Sequence, residues 1–177
     1  MSDTLLFSSE RVRRMVRRMA YQVVERNAGS STLVVAGIVE KGVPMAEMLA
    51  AAIGAIEGTA CPVEAVDVTP FRDDQEALPA EDTVPALTSD VTDRDVLLVD
   101  DVLFTGRTAR AAIDAVVRSG RPQSIQLAVL IDRGHREYPI QPDYVGRTIP
   151  TKHRERVVVE PAAEGSFTVR VVEREGT

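Results

Sequence analysis

Residues 96–108 read VLLVDDVLFTGRT, with Asp100 and Asp101 near the centre. The apolar run 96–99 is short and branched, which suits a strand buried on both faces of a parallel sheet. Such a strand delivers two adjacent carboxylates, Asp100 and Asp101, to its carboxyl end. A loop containing Thr105, Gly106 and Thr108 then opens a helix expected over 106–119, which stops at Gly120 with Pro122 beyond. Gly106 allows close backbone approach to a ligand. Backbone N–H groups at a helix start, joined by two threonine hydroxyls, form an anion site suited to a monophosphate. The carboxylates do not suit that phosphate; they suit a vicinal diol or a metal. A diol on one side and a phosphate on the other describe a 5-phosphoribosyl group. The chain has neither the Gly-x-x-x-x-Gly-Lys-Ser/Thr of a nucleoside-triphosphate loop nor the Gly-x-Gly-x-x-Gly of a dinucleotide fold.

Outward from this segment, strands and helices alternate. Residues 8–26 read as a helix, with Ser8 and Ser9 as candidate N-caps and Val12, Met15, Val16, Met19, Val23 and Val24 at helical spacing. Arg11, Arg13, Arg14, Arg17 and Arg18 crowd its other side, and Asn27-Ala28-Gly29 is a plausible stop. The run 32–39 reads as a buried strand, and Lys41-Gly42-Val43-Pro44 turns the chain into a helix over 44–56. Residues 63–69 and 124–131 are further strands, the second ending in Asp132-Arg133-Gly134-His135. Between them, 70–95 is polar, acidic and long for a loop, as active-site loops often are, with a short strand expected at 84–87. Strand-like runs follow at 144–145, 156–159 and 167–172. This alternation predicts one α/β domain over 1–177 with a parallel sheet. Ligands of such sheets bind at the carboxyl ends of the strands, where Glu40-Lys41-Gly42, Asp100-Asp101 and Asp132-Arg133-Gly134 lie.

The 177 residues suffice for a single core, and 44% hydrophobic with 27% charged residues argues against intrinsic disorder. A net charge of −6 argues against whole-surface attraction to nucleic acid or anionic membrane but leaves room for a local basic patch. Cys61 is the one cysteine, so an internal disulfide is excluded and the thiol reads as structural. The N-terminus is a poor signal peptide, and no apolar run approaches the roughly 18–20 residues of a membrane span. The expected location is the cytoplasm.

Segment 96–108 resembles the PRPP-binding motif of type I phosphoribosyltransferases. Three more stretches, VDVTPFRDD (66–74), GRPQSIQLAVL (120–130) and IDRGHREYPIQPDYVGRTIPT (131–151), resemble the PyrR family of pyrimidine-operon attenuators and uracil phosphoribosyltransferases, with similarity over 13–159. The resemblance implies a type I phosphoribosyltransferase fold: a central, mostly parallel sheet flanked by helices, a mobile loop over 70–95 and a small hood over 139–177. It implies conversion of uracil and PRPP to UMP and pyrophosphate, with Mg2+ carried on PRPP and no metal ligand from the protein. Asp100, Asp101 and Arg72 are the implied catalytic residues, the aspartates holding the ribose hydroxyls. Val102, Leu103, Phe104, Thr105, Gly106, Arg107 and Thr108 complete the PRPP motif, with residues 105–108 around the 5-phosphate. Arg72 and Asp73 form the base of the mobile loop, Arg133 lies near the uracil, and Val157 offers it backbone contacts.

Two departures accompany the likeness. Glu40-Lys41-Gly42 stands where the family usually has Thr-Arg-Gly in its pyrophosphate loop. Lys41 still supplies positive charge there, as a point charge without a planar fork, and a cis peptide is expected at Glu40–Lys41. The family also binds pyr mRNA in response to UMP, which assigns Arg14, Arg17, Arg18, Arg26, His135, Arg136, Arg147 and Lys152 to RNA. There, Gln141 replaces a typical arginine and Tyr21 a common histidine. Homodimers or higher homo-oligomers are implied. Two alternatives stand beside this: a nucleotide-sensing RNA regulator with weak catalysis, motivated by Glu40-Lys41, and a transferase for a purine base, which the match over 131–151 opposes.

Overall fold

Along two neighbouring strands, alternate side chains enter opposite cores. Val34, Ala36, Val96 and Leu98 pack on one face of the sheet, while Leu33, Val35, Leu97 and Val99 pack on the other. A strand covered on both sides needs this continuous apolar run. The structure, a computed structural model, describes residues 3–73 and 86–173. In chain order the elements are β1 (Asp3–Phe7), α1 (Ser9–Asn27), β2 (Leu33–Ile38), α2 (Gly42–Glu57), β3 (Val63–Val66), β4 (Asp95–Leu103), α3 (Arg107–Arg118), β5 (Ser124–Asp132), β6 (Tyr144–Thr148), β7 (Glu155–Pro161) and β8 (Phe167–Glu173). Short 3-10 turns occupy Thr69–Phe71 and Ala163–Gly165.

The main sheet has the order β3-β2-β4-β5-β6, and every pair in it is parallel. One face carries α1 and α2, through Val12, Met15, Val16, Met19, Ala20 and Val23 of α1 and Met45, Leu49 and Ile53 of α2. The other carries α3 through Ala109, Ala112, Ala115 and Val116. Truncating a fully buried side chain such as Leu49 or Ile53 to alanine costs about 2–5 kcal/mol. A second, antiparallel sheet has the order β1-β8-β7. The chain runs from β2 through α2 to β3 on one side and then returns to β4 on the other, so the strand order switches between β2 and β4. A crevice opens at such a point, outside the carboxyl ends of the strands.

Several boundaries differ from the sequence reading. The strand expected to stop at Val99 continues to Leu103, so Asp100 and Asp101 lie within β4 rather than after it. Its parallel pairing with β5 persists through Asp100↔Val129 and Leu103↔Asp132, which local apolarity does not reveal. The strand expected over 63–69 is shorter, because a 3-10 turn with Pro70 follows and buries Phe71. β1 was not foreseen. It pairs with β8, at the far end of the chain, and Asp3 joins Arg170 across that pairing at 2.7 Å. The hood expected over 139–177 is assembled differently: β6 is an edge of the main sheet, and β1 completes the small one.

Within the expected loop, several residues from 87 to 91 are anchored. Leu87 and Val91 are buried in the α3-side core, and the Glu64 carboxylate accepts hydrogen bonds from Thr88 and Ser89. Val84 and Pro85, half of the short strand expected at 84–87, lie outside the described residues; Ala86 and Leu87 are not in a strand. No described helix is long and apolar enough to cross a membrane.

Candidate active site

Two loops and a strand segment meet at the switch point. The first leaves β2 through Val39-Glu40-Lys41-Gly42. Its cis peptide is Val39–Glu40, one bond earlier than expected. A side chain on Gly42 would begin 2.4 Å from the Val99 carbonyl oxygen and 3.3 Å from the Asp100 Cα. Gly42 is therefore the residue that lets this loop press against β4 beside the carboxylates. Lys41 and Glu40 are exposed, and the Lys41 ammonium reaches the Val159 carbonyl of β7 at 3.5 Å, linking the loop to the small sheet.

The second part is the carboxylate pair. The backbone N–H of Asp101 donates to Asp100 Oδ1 at 2.9 Å, and that of Val102 donates to Asp101 Oδ1 at 2.8 Å. Burial, followed by the neighbouring Asp101 charge, pushes the Asp100 carboxyl well above the ordinary carboxylate range. A positive charge arising beside Asp100 favours its ionised form.

The third part is the loop expected to hold the phosphate, Phe104 to Thr108. Gly106, with φ of 89°, is the N-cap of α3, and no side chain caps the helix. A substituent at Gly106 would begin 3.3 Å from Ile140 and 3.4 Å from Tyr138. The loop is held from outside by the turn after β5: Arg133 N–H donates to the Leu103 carbonyl, Glu137 and Tyr138 N–H to that of Thr105, and Arg136 Nη1 to that of Phe104. Thr105 Oγ1 accepts from Arg107 N–H at 3.3 Å, and Thr108 is half-buried on the first turn. The Arg107 side chain turns outward, pairing with Asp73 and with Glu137 at 2.7 Å.

Arg133, expected near the base, is buried; its guanidinium lies 4.1 Å over the Phe104 ring and donates to Thr151 Oγ1 and the Lys152 carbonyl. His135 and His153 stand 5.8 and 5.9 Å from Phe104, ring to ring. Phe104, Arg133, His153, Arg154, Glu155 and Arg156 line a cleft of about 320 Å³. Val157 contributes its side chain to the core, so only its backbone is left for a ligand. Arg72 and Asp73 follow the Thr69–Phe71 turn and are exposed. Cys61 is half-buried, and burial pushes its thiol up.

The residues expected at RNA do not form one surface. Arg14, Arg18 and Arg147 line one groove of about 600 Å³, with Arg11, Ser8 and Met15. Arg18 also ties α1 to β6, donating to the Val145 and Gly146 carbonyls at 3.1 and 2.6 Å. Arg17 lies on another flank with Tyr21, Met48 and Ile56. Arg26 pairs with Asp143 at 2.6 Å. Arg136 spends its guanidinium inside the fold, on Ile140, Phe104 and Asp132. His135 and Lys152 sit by the Arg133 cleft, where His135 Nε2 is 2.6 Å from the Thr151 carbonyl.

Glu137 and Tyr138 were not anticipated. Their position just after the carboxyl end of β5 was the available signal.

Among the described residues, no three carboxylate, histidine or cysteine side chains converge to hold a metal ion. The hard oxygen donors of Asp100 and Asp101 suit a divalent cation whose remaining ligands come from substrate and water.

Comparison with known proteins agrees with this geometry. A model of the phosphoribosyl transferase domain matches residues 5–164. The chain is 51% identical over 149 residues to the bifunctional protein PyrR 2 of Lactiplantibacillus plantarum, covering 84% of this chain and 86% of that one. It is 51% identical over 160 residues to the bifunctional protein PyrR of Chloroflexus aurantiacus, covering 89% and 88%. A crystal structure of a Staphylococcus aureus hypoxanthine phosphoribosyltransferase superposes with a TM-score of 0.69 at 20% identity, covering 93% of this chain and 90% of that one, and shares the fold. Motif, switch-point geometry and these likenesses agree, and the chain belongs to the PyrR family of phosphoribosyltransferases.

Proposed function

We propose that this protein transfers the 5-phosphoribosyl group of PRPP to uracil, giving UMP and pyrophosphate, and binds pyr mRNA in response to UMP to regulate pyrimidine genes by attenuation. The observation that carries the transferase is the placement of Asp100 and Asp101 in β4, between the Gly42 loop and the uncapped start of α3. The reaction breaks the bond from ribose C1 to a pyrophosphate oxygen and forms one to uracil N1, which loses its proton. Positive charge develops on the ribose as the pyrophosphate leaves. Asp100 and Asp101 hold the ribose hydroxyls and stabilise that charge, while the start of α3 with Thr105 and Thr108 fixes the 5-phosphate. Lys41 and Arg72 supply positive charge toward the pyrophosphate, and Gly42 sets the height of that loop. Arg133, stacked on Phe104, and the Val157 backbone border the base. Mg2+, bound with PRPP, neutralises pyrophosphate charge. Most of the catalysis is positioning and charge complementarity. The RNA half rests on the groove of Arg14, Arg18 and Arg147, whose cations suit phosphates. A cytoplasmic homodimer or larger homo-oligomer completes the proposal.

The test is UMP formation from PRPP, Mg2+ and uracil, with hypoxanthine and guanine assayed beside it and Glu40→Thr/Lys41→Arg as a second enzyme. Turnover with uracil above both purines is expected. Preference for a purine overturns the base assignment. Silence of the natural chain with clear activity of the variant overturns its role as a working transferase.

A further inference from the structure

Tyr138 stands where three parts of the phosphate site meet. Its backbone N–H donates to the Thr105 carbonyl at 3.0 Å, beside that of Glu137 at 2.9 Å. Its Cβ is 3.4 Å from where a side chain on Gly106 would start, so it forms a wall of the loop. Its hydroxyl donates to the Asp73 carboxylate at 2.5 Å and accepts from Arg107 Nη1 at 3.0 Å. The Arg107 guanidinium lies 4.7 Å from the centre of its ring. Arg107 pairs in turn with Asp73 and Glu137.

Two carboxylates balance one guanidinium here, which leaves little net positive charge for a phosphate. The backbone and the two threonines remain as the phosphate ligands, and the side chain of Arg107 acts as a lock on the loop. Arg107 and Asp73 are 45% and 32% exposed, and an ion pair so exposed contributes little alone. A phenol bonded to both partners, with its ring under one of them, restricts two mobile side chains at once. The hydrogen bond from Tyr138 holds the Asp73 carboxyl below its ordinary range, and the same bond pushes the Tyr138 hydroxyl up, as a charge-assisted contact does.

We propose that Tyr138 is a positioning residue of the phosphate site, clasping Arg107 to Asp73 so that the start of α3 and the residues after the Thr69–Phe71 turn meet a 5-phosphate as one unit. This rests on the phosphoribosyl reading above. Tyr138→Phe keeps the ring and removes the bridge. It raises KM for PRPP about three- to ten-fold, the worth of one lost hydrogen bond. KM for uracil and kcat stay within about two-fold, inside the spread of ordinary surface substitutions. Asp73→Asn produces the same split, and the double variant is no worse than Asp73→Asn alone, because both remove one bridge. Additive losses, an equal rise in both KM values, or an unchanged KM for PRPP overturns the clasp. If the natural chain does not turn over uracil, the assigned reaction fails. PRPP affinity measured by calorimetry on the same four proteins then decides the clasp, and equal dissociation constants overturn it.

Discussion

β4 carries aspartates at its start and again toward its far end, in opposite surroundings. At its start Asp95 accepts from Ser124 at 2.6 Å and from Thr32 at 3.2 Å, and Ser124 continues into a network with Gln126, Asn27 and Tyr144. Gln126 exchanges two hydrogen bonds with Asn27 and accepts a third from the Tyr144 hydroxyl at 2.6 Å. At its other end Asp100 and Asp101 have one backbone donor each to Oδ1 and a like charge as neighbour. The start is saturated and contributes to stability. Near the other end two carboxylates stand side by side with backbone donors and no such side-chain network among the described residues, which suits the ribose hydroxyls of the proposed reaction. A cross-linked polar network holds a fold, while a like-charged pair without one is open to a ligand that offers donors or positive charge.

The sharpest way to break this contrast is Asp100→Asn with Asp101→Asn. We expect a loss of transferase activity of at least about 100-fold, as for removal of a principal electrostatic stabiliser, with PRPP affinity falling in parallel. The fold survives. Asp100 has its carboxyl raised in the folded state, so its charge opposes folding. That penalty is absent below the ordinary value of 3.8 and grows as pH rises through the raised folded value. Asp100→Asn therefore raises Tm at pH 7 and loses the advantage as pH falls below about 4. A lower Tm at pH 7 would contradict the account of that end.

Gln126→Leu attacks the other end. It strands Asn27, Ser124 and the Tyr144 hydroxyl, and we expect about 2–3 kcal/mol less stability in urea unfolding. Activity per folded molecule is retained. An unchanged midpoint would show that the network is idle.

The smallest effect concerns α1, where the distinction between tied and available side chains recurs. Arg18 and Arg26 are bound to β6 carbonyls and Asp143, while Arg14 has an exposed pair with Glu10 four residues away. Such a pair is weak. Arg14→Gln with Arg147→Gln should weaken pyr RNA binding by about five- to ten-fold and reduce its salt slope by up to about two. Arg17→Gln, on the other flank, should leave RNA binding unchanged. The reverse result would move the RNA surface to the Tyr21 side.

Much of the candidate site's local structure was readable in the chain because its pieces are contiguous. Asp100 to Thr108 is one short segment, and its strand, turn and helix start are properties of neighbouring residues. The clasp was not readable, since Asp73 and Tyr138 come from two different connections, Arg107 opens α3, and they meet only when β5 pairs with β4. The RNA candidates were hardest. A count of arginines does not say which guanidinium a fold consumes, and Arg136 is used entirely inside.

Local patterns were enough for the alternation of strands and helices, the apolar faces of α1 and β4, and the turn at Gly106 that opens α3, because each depends on side chains a few positions apart. Strand order, the union of β1 with β8, the extension of β4 through Asp100 and the convergence at Tyr138 depended on partners far along the chain. Pairing energy across such separations belongs to the folded whole, where register and close approach are set by both sides of a contact at once.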